Sequence, residues 1–81
     1  MFQEKDNALH GSFVFADFRR AMAFMMEVAF AAEEQAHHPE WSNVYNRVQI
    51  RLTTHDAGNT VTEKDHLLAR TIAAIYARYA V

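Results

Sequence analysis

Three histidines supply the groups in this chain that could transfer protons near neutral pH. His37 and His38 are adjacent and are followed at once by Pro39, and His55 lies further along, where a strand-like run ends. Imidazole titrates near neutrality and serves as both general acid and general base. Because proline pushes the residue before it out of the helical region, a helix that reaches His37 must end there. The two rings are then held at a helix terminus, and convergence with His55 would create a proton-transfer site.

Each histidine also has an ordinary structural interpretation. His37 or His38 alone could be favoured at a helix C-terminus by the dipole, and His55 alone could simply end a strand. We assign structural roles to His10, on the open side of a strand, and to His66, in the first turn of the last helix. An adjacent pair fixed by a proline is harder to explain by structure alone, so we favour a functional role for it.

A metal site is the competing interpretation of the same residues. Glu33 and His37, or Glu34 and His38, are spaced four apart and share a helix face, and His55 could complete a nitrogen and oxygen ligand set. Adjacent histidines at a helix end do not readily point at one ion, so we expect no metal. Nucleophilic catalysis is also not indicated, because there is no cysteine and no serine in a nucleophile-elbow motif.

Length and charge restrict the class of protein. With 81 residues and a net charge of −2, we expect a single domain over residues 1–81 without the basic surface that direct nucleic-acid binding requires. The longest apolar-rich run, Ala21 to Ala32, contains Glu27 and is too short to cross a bilayer, so we expect no membrane partner. The N-terminus lacks a signal-peptide pattern. We therefore expect a cytoplasmic location, with the nucleus as a second compartment.

Hydrophobic periodicity predicts the element order β-β-α-β-β-α. The predicted strands are Met1 to Lys5, Ala8 to Phe15, Ser42 to Tyr45 and Val48 to Leu52, with turns at Asp6-Asn7 and Asn46-Arg47, and the predicted helices are Phe18 to about Ala36 and a second one capped by Thr62 and Asp65. The expected fold is therefore α+β: a four-stranded antiparallel sheet with two long helices packed on one face.

The first predicted helix is apolar on nearly all sides. One stripe contains Phe18, Met22, Met25, Ala29 and Ala32, and the opposite side contains Phe24, Val28 and Ala31. The sheet can cover only one side of such a helix, and a small domain without disulfides gains from further burial. We therefore expect the chain to self-associate.

At this point the motif resembles a known family. The run His37-His38-Pro39-Glu40-Trp41, followed by Asn43 to Asn46, by Thr54-His55 and by Thr62 to Asp65, closely resembles the pterin-4a-carbinolamine dehydratases. The resemblance extends upstream to Phe13 to Ala21 and covers the chain from about Asp6 to the end. It implies a hydro-lyase that dehydrates 4a-hydroxytetrahydrobiopterin to quinonoid dihydrobiopterin, so that tetrahydrobiopterin is recycled, with no metal and no organic cofactor.

The resemblance also implies roles for individual residues. His37, His38 and His55 match the three active-site histidines. The implied substrate contacts are Pro39, Trp41, Thr53, Thr54, Asp56 and Asp65, although Asp65 also has the simpler role of an acid in the first turn of a helix. We expect His37 and His55 to hold and protonate the leaving hydroxyl while His38 takes a ring proton, with the assignment of acid and base left open.

The family resemblance implies partners as well. The family forms a homotetramer, a dimer of dimers with a helical bundle between its halves. Animal members also bind the dimerisation helices of a homeodomain transcription factor and act as a coactivator. The alternative function for this chain is therefore a non-catalytic, helix-binding dimerisation cofactor.

Overall fold

The computed structural model describes residues 1–79 and shows one four-stranded antiparallel sheet with two α-helices. The strands are β1 (Phe2–Lys5), β2 (Ala8–Val14), β3 (Glu40–Val44) and β4 (Arg47–Leu52), and the helices are α1 (Phe18–Glu34) and α2 (Glu63–Tyr76). The strand order across the sheet is β1-β2-β4-β3. The predicted α+β class and the order β-β-α-β-β-α are confirmed.

The hairpin between β3 and β4 differs from its prediction by about one residue. Arg47 already pairs with Val44 across the hairpin, so the tight turn is Tyr45-Asn46 and not Asn46-Arg47. Tyr45 takes a positive φ of 51°. This conformation is uncommon for an aromatic residue, so the local sequence does not predict it. Strand β3 also begins earlier than predicted, because Glu40 pairs with Arg51.

The core lies between one face of the sheet and the inner faces of both helices. Alternate residues of the two central strands point into it, and Leu9, Phe13, Val48, Ile50 and Leu52 are all buried. Helix α1 contributes Ala21, Phe24, Val28 and Ala32, and α2 contributes Leu68, Ala69 and Ile72. This arrangement leaves the other face of the sheet open.

The rotation of α1 divides its apolar residues differently from the prediction, because Ala32 of the first predicted stripe is buried and Met25 packs against the core. Phe24 and Val28 are fully buried against the sheet, whereas Phe18 and Met22 of the opposite stripe are exposed. The outer surface of α1 carries four large apolar side chains at intervals of four residues, which we call the outer stripe: Phe18, Met22, Met26 and Phe30, exposed by 46%, 38%, 55% and 68%. Among the residues that the structure describes, no helix has the length and apolar character needed to cross a membrane.

Candidate functional site

The end of α1 places the histidine pair. Gln35 caps the helix, Ala36 follows in the left-handed conformation at φ 52°, and the N–H of His37 donates to the carbonyl of Ala32 at 3.0 Å. A second bond runs from the Ala36 N–H to the Glu33 carbonyl at 3.1 Å. These two bonds are the Schellman motif, which ends a helix sharply. His37 and the residue after it therefore leave the helix in a fixed direction and not on a loose loop.

The His37 ring is held in place by a buried carboxylate, that of Asp65. Its Nε2 lies 2.5 Å from Oδ1 of Asp65, and the Asp65 side chain has no exposed surface. The other oxygen, Oδ2, accepts from the Thr54 hydroxyl at 2.7 Å and from the Thr62 N–H at 2.8 Å. A carboxylate accepts and does not donate when it is ionised. Nε2 of His37 therefore carries a proton, and Nδ1 is the nitrogen left free of Asp65.

The charge state of Asp65 follows from these contacts. Burial raises the pKa of the Asp65 carboxyl, but its hydrogen bonds outweigh burial and hold the pKa below its ordinary value. The bond from His37 contributes most, followed by those from Thr62 and Thr54. Asp65 is therefore ionised at neutral pH and fixes both the orientation and the tautomer of the His37 ring.

The second histidine of the pair is exposed. Nε2 of His38 lies 2.9 Å from Oε1 of Glu33, and both side chains are largely in solvent. Such an exposed pair contributes little to stability. It nevertheless orients the ring, because donation from Nε2 to Glu33 leaves Nδ1 of His38 as the free nitrogen.

The third histidine comes from the segment after β4. Strand β4 ends at Leu52, and His55 opens a single 3₁₀ turn, His55–Ala57. Its Nδ1 lies 2.7 Å from Oδ1 of Asn59 in the same loop. Each of the three rings thus has one nitrogen next to an oxygen acceptor, and within residues 1–79 the other nitrogen makes no hydrogen bond.

The three rings line one cleft of about 390 Å³. It lies between the end of α1, the start of β3 and the loop after β4, and it is lined by Ala36, His37, His38, Pro39, Glu40, Thr53, Thr54, His55, Asp56 and Lys64. Histidines far apart in the sequence therefore face the same space. All the predicted site residues lie in this lining except Trp41 and Asp65.

Trp41 and Asp65 do not line this cleft. Trp41 is paired with Ile50 in the sheet, and its half-buried ring packs against the core. Because β3 starts at Glu40, strand alternation turns Trp41 toward the helices and Glu40 toward the open face of the sheet, where its carboxylate accepts from Arg51 at 2.8 Å. Asp65 lies behind His37 with both oxygens occupied, so it supports the ring instead of lining the cleft.

Four residues at or near the cleft were not predicted as site residues: Ala36, Glu40 and Lys64, which line it, and Asn59, which contacts His55. Lys64 lines the cleft from the first turn of α2, and its only sequence signal is its position directly before Asp65. Asn59 contacts His55, but its approach depends on a loop conformation that the sequence does not specify. In residues 1–79, no group of three or more histidine, aspartate or glutamate side chains is arranged to hold a metal ion.

Comparisons with known proteins point to a single family. The family model described as pterin 4 alpha carbinolamine dehydratase matches residues 2–75. A protein of Opitutus terrae, provisionally named as a pterin-4-alpha-carbinolamine dehydratase, is 58% identical over 67 residues, which are 83% of this chain and 68% of that protein. A protein of Rhizorhabdus wittichii with the same provisional name is 50% identical over 74 residues, covering 91% of this chain and 75% of that protein.

Solved structures give the same result at the level of the fold. A Brucella melitensis protein described as a transcriptional coactivator/pterin dehydratase superimposes with a TM-score of 0.87 at 47% identity, over 93% of this chain and 81% of that one. A pterin dehydratase-like protein described as a RuBisCO assembly factor of the alpha-carboxysome shares the fold, with a TM-score of 0.76 at 23% identity, over 94% and 87% of the two chains. By its sequence and its fold, the chain belongs to the pterin-4a-carbinolamine dehydratase family.

Proposed function

We propose that this protein is a hydro-lyase that dehydrates 4a-hydroxytetrahydrobiopterin to quinonoid dihydrobiopterin. The observation that carries the proposal is the convergence of His37, His38 and His55 around one cleft, from two separate parts of the chain. Family membership supplies the substrate class. The cleft volume of about 390 Å³ is within the range of small-molecule sites and suits a fused two-ring heterocycle.

The reaction needs one proton donor and one proton acceptor. The bond between C4a and its hydroxyl oxygen breaks, a proton on that oxygen allows water to leave, and a ring N–H proton is removed as the quinonoid system forms. The electrons stay within the ring system, so no oxidant or reductant takes part. In this proposal His37 and His55 hold and protonate the leaving hydroxyl, and His38 accepts the ring proton.

The other residues of the cleft bind and orient the pterin in this proposal. Pro39, Thr53, Thr54 and Asp56 form its walls. The hydroxyls of Thr53 and Thr54 are already engaged, with the Asn7 carbonyl and with Asp65. They therefore contribute shape more than free hydroxyl groups. Asp65 acts through His37 as a positioning residue.

Turnover of the purified protein tests the proposal. After treatment with a chelator, the protein should accelerate dehydration of the 4a-carbinolamine, and alanine at His37, His38 or His55 should each lower kcat/KM by about 10²-fold or more. His10→Ala is a matched control, because His10 is exposed on β2 outside the cleft, with its Nε2 beside the Lys5 carbonyl; it should keep the wild-type rate. Wild-type rates in all three cleft variants would rule the proposal out.

We further propose that the protein is a homo-oligomer, expected to be a dimer of dimers, that associates through the outer stripe of α1. Four large apolar side chains at helical spacing are more than a small domain normally leaves in water. A second copy of the same helix is a self-complementary partner, since identical stripes can pack around a two-fold axis. The test of this proposal is given in the Discussion.

The outer stripe also supports the alternative function, a non-catalytic helix-binding cofactor. The described role of the Brucella melitensis protein as a coactivator is compatible with such binding. Capture of a helical partner by a protein without dehydratase turnover would favour this alternative. A cytoplasmic location stays a prediction, because none of the comparisons addresses it.

A further inference from the structure

We infer that Asn59 is a positioning residue for His55, which keeps Nδ1 of that ring protonated so that Nε2 is the nitrogen that exchanges a proton with the substrate. The inference rests on the proposed function for its catalytic part. Its structural part, the tautomer of His55, stands independently of that function.

The contact itself is short and local. Oδ1 of Asn59 lies 2.7 Å from Nδ1 of His55. An amide oxygen can only accept, so the imidazole must donate from Nδ1. Among the described residues, Nε2 of His55 forms no hydrogen bond, so this nitrogen is available to exchange a proton with the substrate. The hydrogen bond to Asn59 can persist whether His55 is neutral or charged, so the proton that is gained or lost is the one on Nε2.

The loop conformation brings Asn59 to the histidine. Gly58 and Asn59 both have positive φ, at 82° and 59°, so the chain reverses direction directly after the 3₁₀ turn. The Asn59 N–H donates to the Thr54 carbonyl at 3.1 Å, and the Thr54 N–H donates to the Thr60 carbonyl at 3.0 Å. Backbone bonds therefore close the loop and hold the amide on the ring.

The residue type suits both requirements of this position. Asparagine tolerates the left-handed conformation better than most residues other than glycine. Glycine would satisfy the backbone equally well, but it would leave the exposed His55 ring with no acceptor. Orientation of a histidine by hydrogen bonding at its second nitrogen is a general device for selecting the reactive nitrogen.

Two substitutions separate the side chain from the backbone. Asn59→Gly keeps the left-handed conformation and deletes the acceptor. Asn59→Asp keeps an acceptor, because both oxygens of an ionised carboxylate accept, whereas an amide could also turn its NH₂ group toward the ring. Asp6→Gly is the matched control, because Asp6 also has a positive φ, of 52°, and lies in the β1–β2 turn. It likewise replaces a left-handed polar residue by glycine, away from His55.

The first measurement is the tautomer of His55, from nitrogen–proton correlation spectra of protein labelled at its histidine rings, at about pH 8 where imidazole is neutral. The His55 signals are assigned by their loss in His55→Gln. Wild type and Asn59→Asp should show the proton on Nδ1, and Asn59→Gly should shift the population toward Nε2. A proton on Nε2 in wild type, or no shift in Asn59→Gly, would overturn the inference.

The second measurement is turnover. Asn59→Gly should lower kcat by about fivefold, the effect of losing one ordinary hydrogen bond, with KM nearly unchanged, and Asp6→Gly should keep the wild-type kcat. An unchanged kcat in Asn59→Gly alongside an altered tautomer would refute the catalytic part. If wild type shows no turnover, the proposed function fails, while the spectra still decide the tautomer.

Discussion

A single buried carboxylate, that of Asp65, links the candidate site to the stability of the molecule. It accepts from the N–H of Thr62 at the start of α2, from the Thr54 hydroxyl and from His37 at the end of α1. One side chain thus joins a helix cap, the segment after β4 and a ring of the cleft. Changes at this residue should therefore affect folding and turnover together.

Asp65→Asn should lower the free energy of unfolding by about 2–3 kcal/mol at neutral pH, since it removes charged hydrogen bonds in a buried place. Chemical denaturation measures this loss. Glu63→Gln removes an exposed charge from the same helical turn and should cost under about 1 kcal/mol. Equal losses of unfolding free energy in the two variants would show that the hydrogen bonds of Asp65 contribute no more than a charge at the helix terminus.

The pH dependence of that loss has a definite sign. The pKa of Asp65 is lower in the folded protein than its ordinary value, so its contribution is fully present above the ordinary pKa. The contribution is lost as the pH falls through the folded pKa. The stability gap between wild type and Asp65→Asn should therefore shrink only in strongly acidic solution, and a gap that closes between pH values of about 5 and 7 would contradict the assignment.

Part of the site could be predicted from the sequence, because the positions of those residues depend on their sequence neighbours and not on the rest of the fold. Pro39 indicates that the helix must end before it, which places the adjacent His37 and His38 at a helix terminus. The end itself lies earlier, at Glu34, because Ala36 is left-handed. The position of Trp41 depends on where β3 begins. The predicted strand started at Ser42 and left Trp41 outside it, whereas the strand starts at Glu40 and pairs Trp41 with Ile50. Asn59 depends on two successive left-handed residues, which only the folded loop defines.

At the scale of elements, the end of α1 carries a strained residue. Ala36 lies in the left-handed conformation at φ 52°, where the Cβ atom is unfavourable and glycine is preferred. Ala36→Gly should therefore raise the free energy of unfolding by about 1 kcal/mol. Denaturant midpoints give this value directly.

The same alanine-to-glycine change at Ala23 should have the opposite effect on the free energy of unfolding. Ala23 is exposed within α1, where glycine should destabilise the helix by about 1 kcal/mol. Opposite signs for the two variants would identify the left-handed turn as the cause. If Ala36→Gly also destabilised the protein, the strain assigned to this turn would be wrong.

The rotation of α1 shows why an element can be predicted when its packing cannot. The sequence indicated a helix that is apolar on two sides, and either side could have met the sheet. Phe24 forms tilted aromatic contacts with Phe13 and Phe15, at 5.2 and 4.9 Å between ring centroids. These partners come from β2 and the residue just after it, so the choice of face was set by tertiary packing and not by periodicity.

At the scale of the whole molecule, the outer surface of α1 exposes large apolar side chains. The core uses the inner faces of both helices, and the outer stripe of α1 remains in water. A domain of 81 residues buries a smaller fraction of its surface than a larger one. Association through the stripe would add to its stability as well as define its quaternary structure.

Phe30→Glu should dissociate the oligomer, because it places a charge where the most exposed ring of the stripe, at 68%, would be buried. Sedimentation equilibrium should give a multiple of 9.3 kDa for wild type and a weakening of association by about 100-fold, or about 2.7 kcal/mol, for the variant. Val14→Glu is the control, since Val14 is also exposed, by 56%, but lies on the open face of the sheet.

The melting temperature of wild type should rise with protein concentration, and that of Phe30→Glu should not. A monomeric wild type, or equal dissociation in both variants, would remove α1 as the interface and leave its stripe to another partner.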